Sequence, residues 1–312
     1  MPHPSSTEIR LTTFEDLPAV DRIFRTALGT FNGMENPMDF SGDAAVVRCR
    51  KLLYPETSLV AVQGETVVGS NFISHWGSLG LFGPLTVEPS RWNQGIGRRL
   101  LDATMERFEE LGVTQRGIFT FVKDTKHVVL YRRYGYYPQY LHFIMARNTP
   151  ECAGSLPAVY SELNAEQKAE IRAEIRKLTD SLLPGLDLTR EVEAVDEYGW
   201  GDVVLLMDGD RLDGFAVCHA GKDTEAGSDI FYIKFGAAVD AGRHEDLLTA
   251  CESLARQRGL GQVWTGVNLA REGVYSTLLN RGYEVLIPGV SMQAPNRLGY
   301  NRPDAFVMDD WR

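Results

Sequence analysis

Within this 312-residue sequence, the residues best suited by type and spacing to do chemistry are Gly95-Ile96-Gly97. They follow an apolar run, Leu85-Thr86-Val87, then Pro89 and the polar loop Trp92-Asn93-Gln94, and they precede Arg98-Arg99. Two glycines permit a sharp turn and let backbone N–H groups approach a ligand with no side chain between. A helix opening there adds unpaired N–H groups and the positive end of its dipole. The sum is a cradle for phosphate oxygens, and the two arginines beside it suit one small polyphosphate. A Walker loop is excluded because no Gly-Lys-Ser/Thr follows, and a G-x-G-x-x-G dinucleotide turn is excluded because its third glycine position is Leu100.

The elements that must position this cradle are legible. Residues 98–111 carry an apolar face of Leu101, Met105 and Phe108, with Leu100 and Leu111 beside it, and Gly112 stops the helix. Upstream, the pattern predicts a strand at 9–13, a helix from Asp16 to about Leu28, a loop over 29–42 and a helix over 43–53. A hairpin then turns at Gln63-Gly64-Glu65 between strands 59–62 and 66–75. Downstream come a strand at 117–122, a short helix from Lys126 closed by Gly135, and a strand at 140–145.

Gly-x-Gly with Val87 and Pro89 ahead and Leu100-Leu101 behind resembles motif A of the GCN5-related N-acetyltransferases (GNAT). Leu130-Tyr131 followed by Gly135-Tyr136 resembles that family's motif B, at the expected distance and in the expected element order. Trp92 stands where the family has Gln or Arg, and Asp124 where motif B often has Asn. The resemblance implies an α/β fold (α+β, mixed sheet) of mostly antiparallel strands flanked by helices. It also implies acetyl-CoA as cosubstrate: the pyrophosphate on Trp92, Asn93, Gln94, Gly95, Ile96, Gly97, Arg98 and Arg99, the pantetheine arm paired with backbone at Leu85, Thr86 and Val87. Tyr131 falls where many members keep a tyrosine that protonates the departing thiolate; packing in an amphipathic helix is its structural alternative. The acid that several members carry on the motif A strand is Leu81 here, and Glu88 lies at the loop end. His75 and His127 are the remaining candidates for a base, against a strand end and a solvated helix start. A substrate arriving as the free amine needs none.

The second half repeats the pattern after a linker at 148–157. Strands at 158–163, 203–207, 212–219, 230–238 and 263–267 alternate with helices at 164–183, 187–195 and beyond 240, and a motif B-like segment runs 271–283. Its chemistry is not repeated: the loop reads Asp240-Ala-Gly242-Arg-His-Glu245, whose acids repel pyrophosphate, and the tyrosine position is Leu278. We therefore expect two tandem acyl-CoA N-acyltransferase (GNAT-like) domains, a catalytic one at 1–147 and a degenerate one at 158–312 that is structural or walls the acceptor site.

A net charge of −10 excludes a nucleic-acid groove as the main business. No apolar run is long enough to span a bilayer, and neither a signal peptide nor a membrane partner is expected. Four scattered cysteines (Cys49, Cys152, Cys218, Cys251) read as free thiols in a reducing cytoplasm, without a metal. The expectation is a cytoplasmic monomer or homodimer transferring acetyl from acetyl-CoA to a primary amine of a small molecule or peptide by direct attack. A longer acyl-CoA donor, an acyl-CoA sensor without turnover and a mononucleotide binder are the alternatives. Glu35 and Asp39, in the loop expected over the acceptor, would attract a cationic amine.

Overall fold

The computed structural model describes residues 7–123, 125–151 and 156–312. β1 (Thr7–Leu11), α1 (Leu17–Asn32) and α2 (Val46–Leu53) lead into β2 (Leu59–Gln63), β3 (Thr66–Asn71), β4 (Ile73–Trp76), β5 (Leu79–Phe82) and β6 (Thr86–Val87). α3 (Ile96–Glu110), β7 (Gln115–Phe121), α4 (Thr125–Arg132) and β8 (Tyr137–Asn148) complete the first half. The second half runs β9 (Ala158–Val159), α5 (Ala165–Leu182), α6 (Thr189–Tyr198), β10 (Gly201–Asp208), β11 (Arg211–Gly221) and β12 (Gly227–Ala238). It ends with α7 (Ala241–Gln257), β13 (Gln262–Asn268), α8 (Glu272–Asn280), β14 (Glu284–Ala294) and β15 (Phe306–Asp309).

Helix boundaries follow local chemistry. α1 buries Val20, Ile23, Phe24 and Ala27, one stripe at helical spacing, and runs through Gly29 to stop at Gly33 in the left-handed region. It is thus a turn longer than the pattern predicts, and Phe31 rides on its last turn instead of in a loop. α5 opens on a reciprocal capping box between Asn164 and Gln167.

Among the described residues the strands form a four-stranded sheet, β1-β2-β3-β6, and an eleven-stranded sheet. The larger runs β4-β5-β7-β14-β8-β13-β12-β11-β10-β9, with β15 on β12. Two expected single strands are broken. The 66–75 stretch changes sheets at Phe72 and becomes β3 and β4; the motif A strand changes sheets after Phe82 and becomes β5 and β6. The breaks lie side by side, joined by Gly83 N–H donating to Phe72 O at 2.8 Å. Proline explains the second: Pro84 has no N–H to continue a ladder.

The halves exchange strands. β7 pairs with β14 of the second half, not with β8, and β8 lies between β14 and β13. One apolar cluster accordingly spans Trp76, Leu79 and Leu81 of the first half and Ile175, Val203, Phe215 and Phe235 of the second. The β14 partner is absent from the sequence expectation, because nothing local to 284–294 indicates a strand pairing with residues 116–121.

Candidate active site

The glycine turn is built as its sequence requires. Asn93 (φ 64) and Gly95 (φ 82) are left-handed, and α3 starts at Ile96 with no side-chain cap on its first turn. Gly97 has only Leu85 Cδ2 (3.6 Å) and Val87 Cγ2 (3.9 Å) near where a Cβ would stand. The first-turn N–H groups therefore face an open surface. Arg98 is exposed beside them, while Arg99 turns back to donate to Thr7 O at 2.9 Å. Trp92 donates its indole N–H to Val87 O at 2.7 Å, and the Gln94 amide reaches Ser90 O at 3.4 Å; both tie the loop to itself. Asn93 is exposed.

The strands beside the cradle splay. β5 pairs in parallel with β7 from Leu79–Gln115 to Leu81–Gly117 and goes no further. β6 has moved to β3, where Glu88 N–H donates to Val68 O at 2.9 Å and Thr86 Oγ1 meets Ser70 Oγ at 3.1 Å. Because backbone groups alternate along a strand, those of Val87 then point away from β3. Residues 118–121 of β7 have β14 on one side and no strand on the other among the described residues. The result is a wedge between β6 and β7, with the Val87 N–H on one wall and the edge of residues 118–121 on the other, opening at the N-terminus of α3.

α4 lies at the far end of the wedge. Tyr131 is buried, its ring edge-on to Phe82 at 5.5 Å, and burial pushes its phenol above the usual range. His127 stacks on Tyr131 at 6.4 Å, Phe31 packs on His127 at 5.2 Å, and Phe121 packs on Phe31 at 5.4 Å. Tyr134 OH bonds Asp102 Oδ1 at 2.7 Å, locking α4 to α3. Asp124, the departure noted in motif B, lies outside the described residues.

The structure thus brings His127 and Tyr131 together but not His75. That imidazole is half-buried on β4 among Glu56, Arg190 and Asp187, and desolvation holds its pKa below the ordinary value. Glu88 pairs with Arg22 of α1 at 2.7 Å, and Leu81 is buried on β5 beside Gly117 of β7. Glu35 is exposed, and Asp39 takes the Asn36 amide at 2.8 Å. Sequence reasoning placed Phe31 in a loop and gave no role to Phe121; only the extra turn of α1 brings them together.

The second half shows the same plan closed. Asp240 caps α7 by accepting from Arg243 N–H at 2.8 Å, so the helix terminus equivalent to the cradle is satisfied from within. β12 pairs in parallel with β13 only over Ile230–Ile233, and the space beyond is filled by β15, antiparallel to Phe235–Ala238. Arg271, ahead of α8, clamps that insert through Val307 O at 2.7 Å and Asp309 Oδ1 at 2.5 Å. Leu278 is fully buried.

A mixed sheet that splays beside a helix N-terminus is present twice, open at an uncapped glycine turn in the first half and closed by Asp240 and β15 in the second, an architecture of the kind the motifs resemble. Residues 55–138 match the family model for the acetyltransferase (GNAT) domain, an acyltransferase domain, and the chain carries that fold in tandem. Among solved structures it resembles a Pyrococcus horikoshii protein assigned as an acetyltransferase, at TM-score 0.72 and 15% identity, covering 98% of this chain and 95% of that one. A GCN5-related N-acetyltransferase from Sphaerobacter thermophilus gives 0.64 and 15%, covering 92% and 95%. A tandem GNAT protein from the clavulanic acid biosynthesis pathway gives 0.55 and 13%, covering 93% and 98%. No curated protein matches the chain significantly in sequence.

Proposed function

We propose that the first half transfers an acetyl group from acetyl-CoA to a primary amine of a small molecule or peptide, and that the second half binds no donor. The observation that carries this reading is the contrast between two equivalent helix termini: α3 opens on Gly95 without a cap, α7 is capped by Asp240. In this reading the first-turn N–H groups of α3 and the Arg98 guanidinium hold the pyrophosphate. Backbone groups of Val87 and residues 118–121 pair with the pantetheine amides as an added strand would. Trp92 already takes the Val87 carbonyl. The arm is thus left the Val87 N–H and the β7 edge.

Tyr131 protonates the departing thiolate. Burial raises its pKa and so keeps the phenol protonated at neutral pH, with a proton to donate. His127, stacked on the phenol, accepts a proton from the amine. Phe31 and Phe121 exclude water from the acceptor side. Proximity supplies most of the acceleration, and no covalent enzyme intermediate is required. The test is CoA release with a panel of amines. Turnover that falls about a hundredfold in Tyr131→Phe, with donor binding intact, supports the reading. Tight acetyl-CoA binding without turnover on any amine overturns it in favour of a sensor.

A further inference from the structure

The sheet break that opens the wedge is held by a side chain that the reaction itself does not use. Gly83, at φ 138, keeps its N–H on Phe72 O, while its carbonyl accepts from Arg50 Nη1 at 2.9 Å. Glycine alone adopts that conformation without strain. Arg50 lies on α2 and is buried, and it is gripped from the second half. Glu225 takes its Nε and Nη2 at 3.1–3.3 Å, and the Arg312 carbonyl takes Nη2 at 2.5 Å. The Glu225 side chain is itself buried, 3% exposed, and oriented by Lys234 Nζ at 2.9 Å. Lys234 also meets Glu191 at 2.9 Å, which accepts from Tyr54 OH and Trp76 Nε1, both at 2.9 Å.

We infer that Arg50 is a positioning residue for the donor site, and that the second half, having no open donor cradle of its own, sets the width of the first half's wedge through the Arg50–Glu225 pair. The inference rests on the donor-site reading above. Four features of the guanidinium argue for it. Its planar fork serves Gly83 from Nη1 and Glu225 from Nε and Nη2 in one fixed geometry, which a lysine's single nitrogen does not reproduce. Its target is the residue at which β5 and β6 part. Its partner belongs to the other half. Its burial makes the geometry rigid, since an unpaired charge there is costly.

The test is calorimetric titration of the full-length wild type, Arg50→Lys and Glu225→Gln with CoA and acetyl-CoA, alongside thermal unfolding. Arg50→Lys should weaken donor binding about tenfold while stoichiometry stays near one; Glu225→Gln should shift it the same way by less. An unaltered dissociation constant overturns the inference. So does a stoichiometry that falls while the dissociation constant holds, because that reports lost folded protein and a merely structural pair. If Arg50→Lys does not fold, Glu225→Gln decides by the same criteria. A wild type that binds neither CoA nor acetyl-CoA overturns the donor-site reading itself, an outcome visible before any variant is compared.

Discussion

At Gly95 the backbone sits at φ 82 with nothing within 4 Å of a Cβ, so substitution there is a conformational question and not a packing one. Gly95→Ala should cost about 1 kcal/mol in stability, the left-handed penalty of an L residue, and weaken CoA binding more than its Tm shift accounts for. Calorimetric titration and a melting curve together check this. His219 is the opposite case. It is fully buried against Trp200 and Tyr232, and neither ring nitrogen has a hydrogen-bond partner among the described residues. Burial lowers its pKa from 6.5 to about 4. The unfolded chain therefore binds more protons between those values, so stability is full above about pH 6.5 and is lost as pH falls through 4. The loss approaches about 3 kcal/mol for this one imidazole. His219→Phe should leave stability at pH 7 unchanged or higher and flatten the acid limb measured by urea unfolding. An unchanged limb would sink the assignment.

At the scale of elements, the two equivalent helix termini separate binding from stability. Asp240→Ala removes the α7 cap and should cost about 1 kcal/mol of unfolding free energy in denaturant titration. Donor affinity should not change, because α7 faces no open wedge. The helices were legible for a physical reason: Leu100, Leu101, Thr104 and Phe108 bury one side of α3 at helical spacing, and that periodicity is local. The broken strands were not. Residues 66–75 read as one strand with nothing within them to mark the change of sheet, and Pro84 marks a break in the motif A strand without telling which sheet β6 joins. Phe72 and Gly83 take that role because they are joined to each other and because Arg50 draws off the Gly83 carbonyl. Arg50 itself, on an eight-residue helix with neighbouring Arg48 and Lys51, reads as a solvated charge; its burial depends on a glutamate 175 residues away.

Across the whole molecule, the strand exchange makes the halves interdependent. Residues 1–147 expressed alone lack β14, leaving β7 with an unpaired edge and the Trp76–Leu81 cluster uncovered. That fragment should be aggregated or unfolded by circular dichroism and size exclusion. Mixing it with a 148–312 fragment should restore a folded complex. An independently folded, CoA-binding first half would contradict the exchange. β15 acts at the same scale. Asp309 forms an ion pair with Arg271 at full burial, so Arg271→Met, which strands that carboxylate, should destabilise the chain by about 3–5 kcal/mol.

The sequence by itself determined the helices, most of the strands, the repeat, the intact glycine turn at 95–97 and its loss at 240–245. Those depend on backbone conformations and side-chain spacings that neighbours a few residues apart decide. Tertiary structure alone decided which strands pair and where the sheet splits. It also decided that Tyr131 meets His127 while His75 turns toward Glu56, and that the chain's own β15 occupies the second wedge. Each of these is a contact between segments far apart in the chain, set by how the two halves share one sheet, and no local pattern encodes it.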